Sequence, residues 1–255
     1  MSFPTVLASF GGAIQFIFHE RVAPTGGVRI GGAQLLPLLG RHLILSGSSL
    51  AIACAVAVPV GLWLGHRGRG ELIASSVANV GRAVPSLVLI AFFFAYLGIG
   101  FANACAALTL LAVPPILTNS YVGVRAVEPE VVDAARGMGL TGVQIVTRIE
   151  LPLALPLIFG GIRTSAVNVI ATATIAPLIG YVTLGDTILS PQIYGSEGQL
   201  GGAIVVAVLA ILAELGFALV QRAVTPTGLK LSTQASGLRR RGAFLSTVRR
   251  IGVTP

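Results

Sequence analysis

From Ala83 to Val124 the chain runs 42 residues without one charged side chain. A membrane helix needs about 20 apolar residues, so this run is too long for one and right for two. Gly98-Ile99-Gly100 offers the break, giving spans over about 72–97 and 101–121. Leu43 to Leu64 adds 22 uncharged residues, interrupted only by Pro59, which a membrane helix tolerates. Thr164 to Gly185 is again uncharged, and Leu200 to Val220 carries a single acid, Glu214. Five spans are therefore expected, over about 43–64, 72–97, 101–121, 158–182 and 200–220, and the fold class is an all-α polytopic membrane protein.

Composition agrees with that reading. Hydrophobic residues make up 54% of the chain and charged ones 10%, and the mean hydropathy is +0.89, values outside the range of soluble domains. The 32 glycines suit close helix–helix approach in a compact bundle. The excess of 17 Lys+Arg over 9 Asp+Glu gathers in short loops and a tail, which speaks for membrane topology and lipid headgroups and against nucleic acid. Cys54 and Cys105 lie in apolar runs with no His or acid at ligand spacing, so they read as packing residues facing lipid, with no metal and no disulfide framework. Val6 to Phe18 is apolar but lacks a basic leader and a convincing cleavage site. Being shorter than a span, it is expected to be an interfacial or re-entrant helix within an outer amino-terminal segment, residues 1–41.

Basic flanks mark the cytoplasmic side. Arg67 and Arg69 join the first two spans; Arg125, Arg136, Arg148 and Arg163 fall between the third and fourth; Arg222, Lys230 and further arginines follow the fifth. This places the carboxyl terminus inside, with residues 223–255 as a basic, solvated cytoplasmic tail. Arg21, Arg29 and Arg41 run against the rule, with only Glu20 to offset them.

The longest polar interruption is residues 127–152. Glu128-Pro129-Glu130 puts a proline and acids where a helix start favours them, and Val131 to Met138 contains good helix formers. Ala134 and Ala135 give that helix a nearly bare face, open to another protein surface, and Gly139 lets the chain turn at its end. Thr141 or Thr164 is placed to cap a following helix, with Gln144 completing a capping-box pattern after Thr141. Leu151-Pro152 and Pro156 are expected to end that helix and redirect the chain toward the fourth span.

In order, Asp133-Ala134-Ala135, three residues, Gly139, nine residues, Ile149, one residue, Leu151-Pro152 resembles the signature loop of the membrane subunits of type I, binding-protein-dependent ABC importers, with Asp in place of the family's Glu. Gly161 also fits. The wider text, Arg82-Ala83-Val84-Pro85-Ser86, Ala134 to Thr141 and Glu150 to Pro156, is most similar to permeases of the osmoprotectant group, from about Arg41 to Gln221. Gly180 to Gly185 departs from the group, whose members often carry a glycine cluster there.

The resemblance implies a transmembrane domain over 42–222 whose loop 127–152 is a coupling helix. Asp133, Ala134, Ala135, Arg136, Gly139, Ile149, Leu151 and Pro152 would serve contact with a separate ATPase subunit. It implies a bacterial or archaeal cytoplasmic-membrane permease for a compatible solute of the glycine betaine, carnitine, choline or proline type. The partners would be ATPase subunits that use ATP and Mg, a second permease copy or homologous permease, and an extracytoplasmic substrate-binding protein. This chain would bind no cofactor and would not be an enzyme. A methionine or other amino-acid permease has the same architecture and stays open as an alternative.

Two intramembrane charges, Arg82 and Glu214, sit at similar depths and are expected to pair with each other or to meet backbone, water or substrate separately. Asn79, Ser86, Asn119, Asn168 and Thr172 are candidates for the translocation path, with helix–helix hydrogen bonding as their more common use. A membrane hydrolase is disfavoured because no Ser-His-Asp or metal constellation can be assembled and no histidine falls inside a span, His42 and His66 marking the ends of the first. The chain has no phosphate-cradling Gly-Lys-Ser/Thr loop, so it is not itself the ATPase. An ATP-independent channel or structural subunit is the remaining rival. With one Trp and four Tyr, the chain is poor in the aromatic faces that hold quaternary ammonium groups, so affinity is expected to reside in the binding protein.

Overall fold

The computed structural model describes residues 3–68 and 70–225, apart from the side chains of 3–8, 80 and 82. The expected basic tail from Pro226 onward, and Arg69, lie outside the described residues.

The architecture is a helical bundle built on a three-helix core. Helix α1 (Phe3–Phe18) leads into a hairpin of two short strands, β1 (Glu20–Val22) and β2 (Arg29–Gly31), antiparallel with Arg21 opposite Ile30. Three-residue strands carry no readable alternation, so this hairpin was not expected from the sequence. Helix α2 (Leu35–Arg67) begins well before the expected first span. At 33 residues it is about 50 Å long and exceeds a bilayer's roughly 30 Å hydrocarbon core. His66 and Arg67 in its last turn and Gly68 at φ 68° terminate it, favourable charge and chirality for a helix end. Because of the early start, His42 lies inside the helix, correcting the expectation of no histidine within a span. It is fully buried, and Nε2 donates to the Ile170 carbonyl at 3.0 Å.

The expected second span is broken. Helices α3 (Glu71–Ala83) and α4 (Ser86–Leu97) are separated at Val84-Pro85, where proline removes an N–H and drives the preceding residue out of the helical region. Helix α5 (Phe101–Arg125) keeps Pro114 and Pro115 inside it. After α6 (Pro129–Gly137) the chain does not stop and restart as the prolines suggested. One rod of changing pitch follows: α7 (Gly142–Ile145), a π-turn over Val146–Glu150, α8 (Leu151–Thr172) and a 3₁₀ stretch over Ala173–Ile179. Pro152 stands in the first turn of α8, where its missing N–H costs little. Pro156 lies one turn on, tolerated as prolines are in packed apolar helices. Short α9 (Gly185–Leu189) precedes α10 (Pro191–Val224), which is kinked at Gly195, φ 68°. Four described helical stretches are long and apolar enough to cross a membrane: 32–67, 101–125, 142–179 and 191–224.

Small residues decide the packing. Gly61 and Gly65 set α2 directly on α5: a Cβ on Gly61 would lie 2.5 Å from Ser120 Cβ, and one on Gly65 would lie 2.7 Å from Val124 Cβ. Such contact is how helices associate where lipid offers no hydrophobic driving force. Helix α8 runs antiparallel to α5, with Gly161 against the Pro115 carbonyl and Ala154 against Gly123. Buried Cys105 sits in the α2–α5 seam near Ser48 and Ser49, so it faces protein and not lipid. Helix α1 packs on α10 through Phe16, which meets Gly198 and Gly201.

Candidate functional site

The polar segment folds as its local chemistry dictates. Glu128 precedes α6, Pro129 opens it, and Gly139 at φ 82° turns the chain out of it. Thr141 caps α7 in a full capping box with Gln144: the Gln144 N–H donates to Thr141 Oγ1 at 3.4 Å, and the Thr141 N–H donates to Gln144 Oε1 at 2.8 Å. Thr164, the other capping candidate, lies inside α8 and donates to the Gly160 carbonyl.

The two alanines part company. Ala134 is exposed, whereas Ala135 is fully buried against the chain's own body. The bare face open to a partner is therefore the side of Asp133, Ala134, Gly137 and Gly139, all exposed. Asp133 pairs with Arg136 at 3.3 Å on the surface of the helix. Met138 and Val143, 72% and 74% exposed, extend the surface with apolar side chains that no sequence pattern singled out. Ile149, Leu151 and Pro152 are half-buried and lie behind that surface; Leu151 packs with Val124, Ala154 and Ile158.

Beneath the hairpin of α6 and α7, Glu150 is buried, and both its oxygens lie 2.9–3.0 Å from Nδ1 of His66 at the end of α2. A Cβ on Gly142 would sit 3.3 Å from the other ring nitrogen of His66. The imidazole thus fills the notch between the start of α7 and the π-turn.

In the bundle a cavity of about 290 Å³ opens between α3, α5 and α8. Thr118, Asn119, Thr164 and Asn168 supply its polar atoms, and Gly81, Pro114 and Pro115 line its walls. Asn119 Nδ2 donates to the Pro115 carbonyl at 2.8 Å. Of the path candidates, Asn119 and Asn168 meet here, while Asn79, Ser86 and Thr172 do not line this cavity. On the other side of the Gly81–Pro114 contact, a cavity of about 320 Å³ is lined almost wholly by apolar groups such as Val84, Leu89 and Val113.

Glu214 meets Arg163 at 3.1 Å, and Arg163 also donates to Gln221 at 3.3 Å. Gln221 in turn donates to the Pro156 carbonyl at 2.7 Å. Arg163, counted from the sequence among the loop arginines although it falls within the expected fourth span of 158–182, is inside α8. The side chain of Arg82, the partner expected for Glu214, lies outside the described residues. Among the described residues no cluster of His, Cys, Asp and Glu is disposed to hold a metal.

A model of binding-protein-dependent transport system inner membrane components matches residues 57–226. This stretch contains the capped loop, the cavity and the Arg163–Glu214 pair, and it omits α1 and the β-hairpin. Over 200 residues the chain is 38% identical to the glycine betaine/carnitine/choline transport system permease protein of Bacillus subtilis (strain 168), covering 78% of this chain and 92% of that protein. The carnitine transport permease protein of Listeria monocytogenes is matched at 38% with the same coverage. The osmoprotectant import permease protein of Salmonella typhimurium (strain LT2) is matched at 34% over 198 residues, covering 76% and 83%. Among solved structures, an inward-facing methionine ABC transporter superposes with a TM-score of 0.66 at 24% identity, covering 75% of this chain and 96% of that one. That last likeness is one of fold.

Proposed function

The chain belongs to the family of binding-protein-dependent transport system inner membrane components, and on that premise we propose that it is the permease subunit of an ABC importer for a quaternary-amine osmoprotectant. The solute class is that of glycine betaine, carnitine and choline, named for relatives at 38% identity that the match covers almost end to end. The observation that carries the mechanism is the outward-facing α6: an exposed Asp133-Ala134 face closed by Gly139 and followed at once by the Thr141 capping box that starts α7.

A separate ATPase docks on that face and, on closing around ATP and Mg, pushes α6. The push passes into α5 and the 142–179 rod, which rock against a second permease half to alternate access. The end carrying α6 and the carboxyl terminus is then cytoplasmic. Solute passes the cavity of Thr118, Asn119, Thr164 and Asn168. The lining there presents amide and hydroxyl groups, with neither a charge nor an aromatic ring among the described residues. Such a lining supports passage without tight capture and agrees with a binding protein that supplies affinity.

The test is uptake into proteoliposomes holding this chain with its ATPase, its permease partner and its binding protein, using labelled glycine betaine, carnitine, choline, proline and methionine. ATP-dependent uptake of a quaternary amine is expected. Uptake of methionine alone would keep the mechanism and replace the solute class, and no ATP-dependent uptake would overturn the reading.

A further inference from the structure

We propose that His66 and Glu150 are a positioning pair that ties the coupling hairpin to α2 and so passes ATPase-driven movement into the core of the bundle; the inference rests on the functional reading above. The hairpin is joined to the bundle by two covalent routes, into it from α5 and out of it along the 142–179 rod. The His66–Glu150 bond adds a third route, to a helix remote in sequence.

Three observations carry it. Glu150 is a buried carboxylate with both oxygens on one donor, an arrangement that is stable only while the donor stays in place. The π-turn is what presents it: Ile145 and Glu150 are both buried, although residues five apart would face about 140° away from each other on an α-helix. A π-turn is seldom present without a use, and such turns are common at functional sites. Finally, α2 cannot slip easily beneath the pair, because Gly61 and Gly65 set it flush on α5 just before His66. A displacement of α7 that carries Glu150 must drag His66, and with it α2, or break the bond.

The role is read as solute moved per ATP hydrolysed by the full importer in proteoliposomes, using labelled glycine betaine, with co-purification of the ATPase as the control for assembly. His66→Leu keeps bulk and loses the donor. It is expected to assemble, hydrolyse ATP and lower the ratio about fivefold to tenfold, inside the roughly twofold to thirtyfold range over which residues of a coupling network act. His66→Gln keeps an N–H for Glu150 and is expected to recover most of that loss. Glu150→Ala is expected to match His66→Leu, and the double variant to be no worse than either, because the two changes remove one contact. A wild-type ratio in His66→Leu, additive losses in the double variant, or loss of ATPase co-purification in His66→Leu would each overturn the proposal, the last by assigning the pair to assembly. A wild-type importer that moves no solute on ATP would instead overturn the functional reading, and the pair's role with it.

Discussion

The two ends of the bundle are built by opposite means. At the α6 end, the proline start, the capping box and the left-handed glycine all act over a few residues, between Glu128 and Gln144. At the hairpin end, Arg21 takes its polar partners from the far end of the chain. It forms an ion pair with Glu197, donates to the Tyr194 carbonyl at 3.1 Å, and stacks 5.1 Å over the ring of Phe16. Tyr194 is itself fixed by a 2.9 Å bond to Asp186. The difference teaches where rigidity is needed. A face proposed to dock an ATPase must keep its shape whatever the helices beneath it do, and local caps supply that. The hairpin end closes the amino-terminal segment onto α10, and only long-range contacts can do so. Two of the three arginines that break the positive-inside pattern are paired at this end, Arg21 with Glu197 and Arg29 with Glu20.

Substitutions at the two ends should therefore separate transport from stability. The largest effect is expected for Gly139→Asp, which forces a side chain into the left-handed region at an unfavourable 1–2 kcal/mol or so and puts a new charge on the docking face. Membrane insertion should persist while ATP-coupled uptake is abolished, and uptake retained in that variant would sink the coupling assignment. Between the ends, Glu214→Ala takes the counter-charge from Arg163 and leaves it the neutral Gln221. A charge at membrane depth is unfavourable by about 2.5–3.5 kcal/mol on insertion scales, less where it reaches water, so the purified protein should melt earlier and the exchange Arg163→Glu with Glu214→Arg should restore much of the loss. Failure of the exchange would leave the two charges energetically independent. At the hairpin end, Arg21→Ala removes a half-exposed pair worth up to about 1 kcal/mol. Faster proteolysis around residues 20–31 with little change in ATP-coupled uptake is expected; lost uptake would show that this end, too, takes part in transport. Smallest of all is Asp133→Glu, which lengthens an exposed side chain by one methylene and should change coupled uptake by less than about twofold, as surface changes within roughly 0.5 kcal/mol do.

Much of the local structure of the 127–152 loop was legible because its signals are local. A proline at a helix start, a Thr-x-x-Gln cap and a glycine at a turn mean nearly the same thing in any fold. Burial was not legible in the same way: Ala134 and Ala135 are identical residues side by side, and only the packing of α6 against the chain's own body assigns one to the surface and the other to the interior. The prolines misled in both directions. Pro85 breaks an apolar stretch long enough for one span, whereas Pro152 and Pro156 interrupt nothing, because a π-turn and the neighbouring helices absorb them.

The sequence by itself determined that the chain is a multi-span helical membrane protein with one long polar loop, since uncharged length and cap chemistry are properties of short segments. Only the tertiary structure decided that Glu214 meets Arg163, that His66 meets Glu150, that Asn119 and Asn168 share a cavity, and that Arg21 reaches Glu197. Each joins residues at least 49 positions apart, and which partner a buried polar group finds depends on how helices dock through their small residues, which no local pattern encodes.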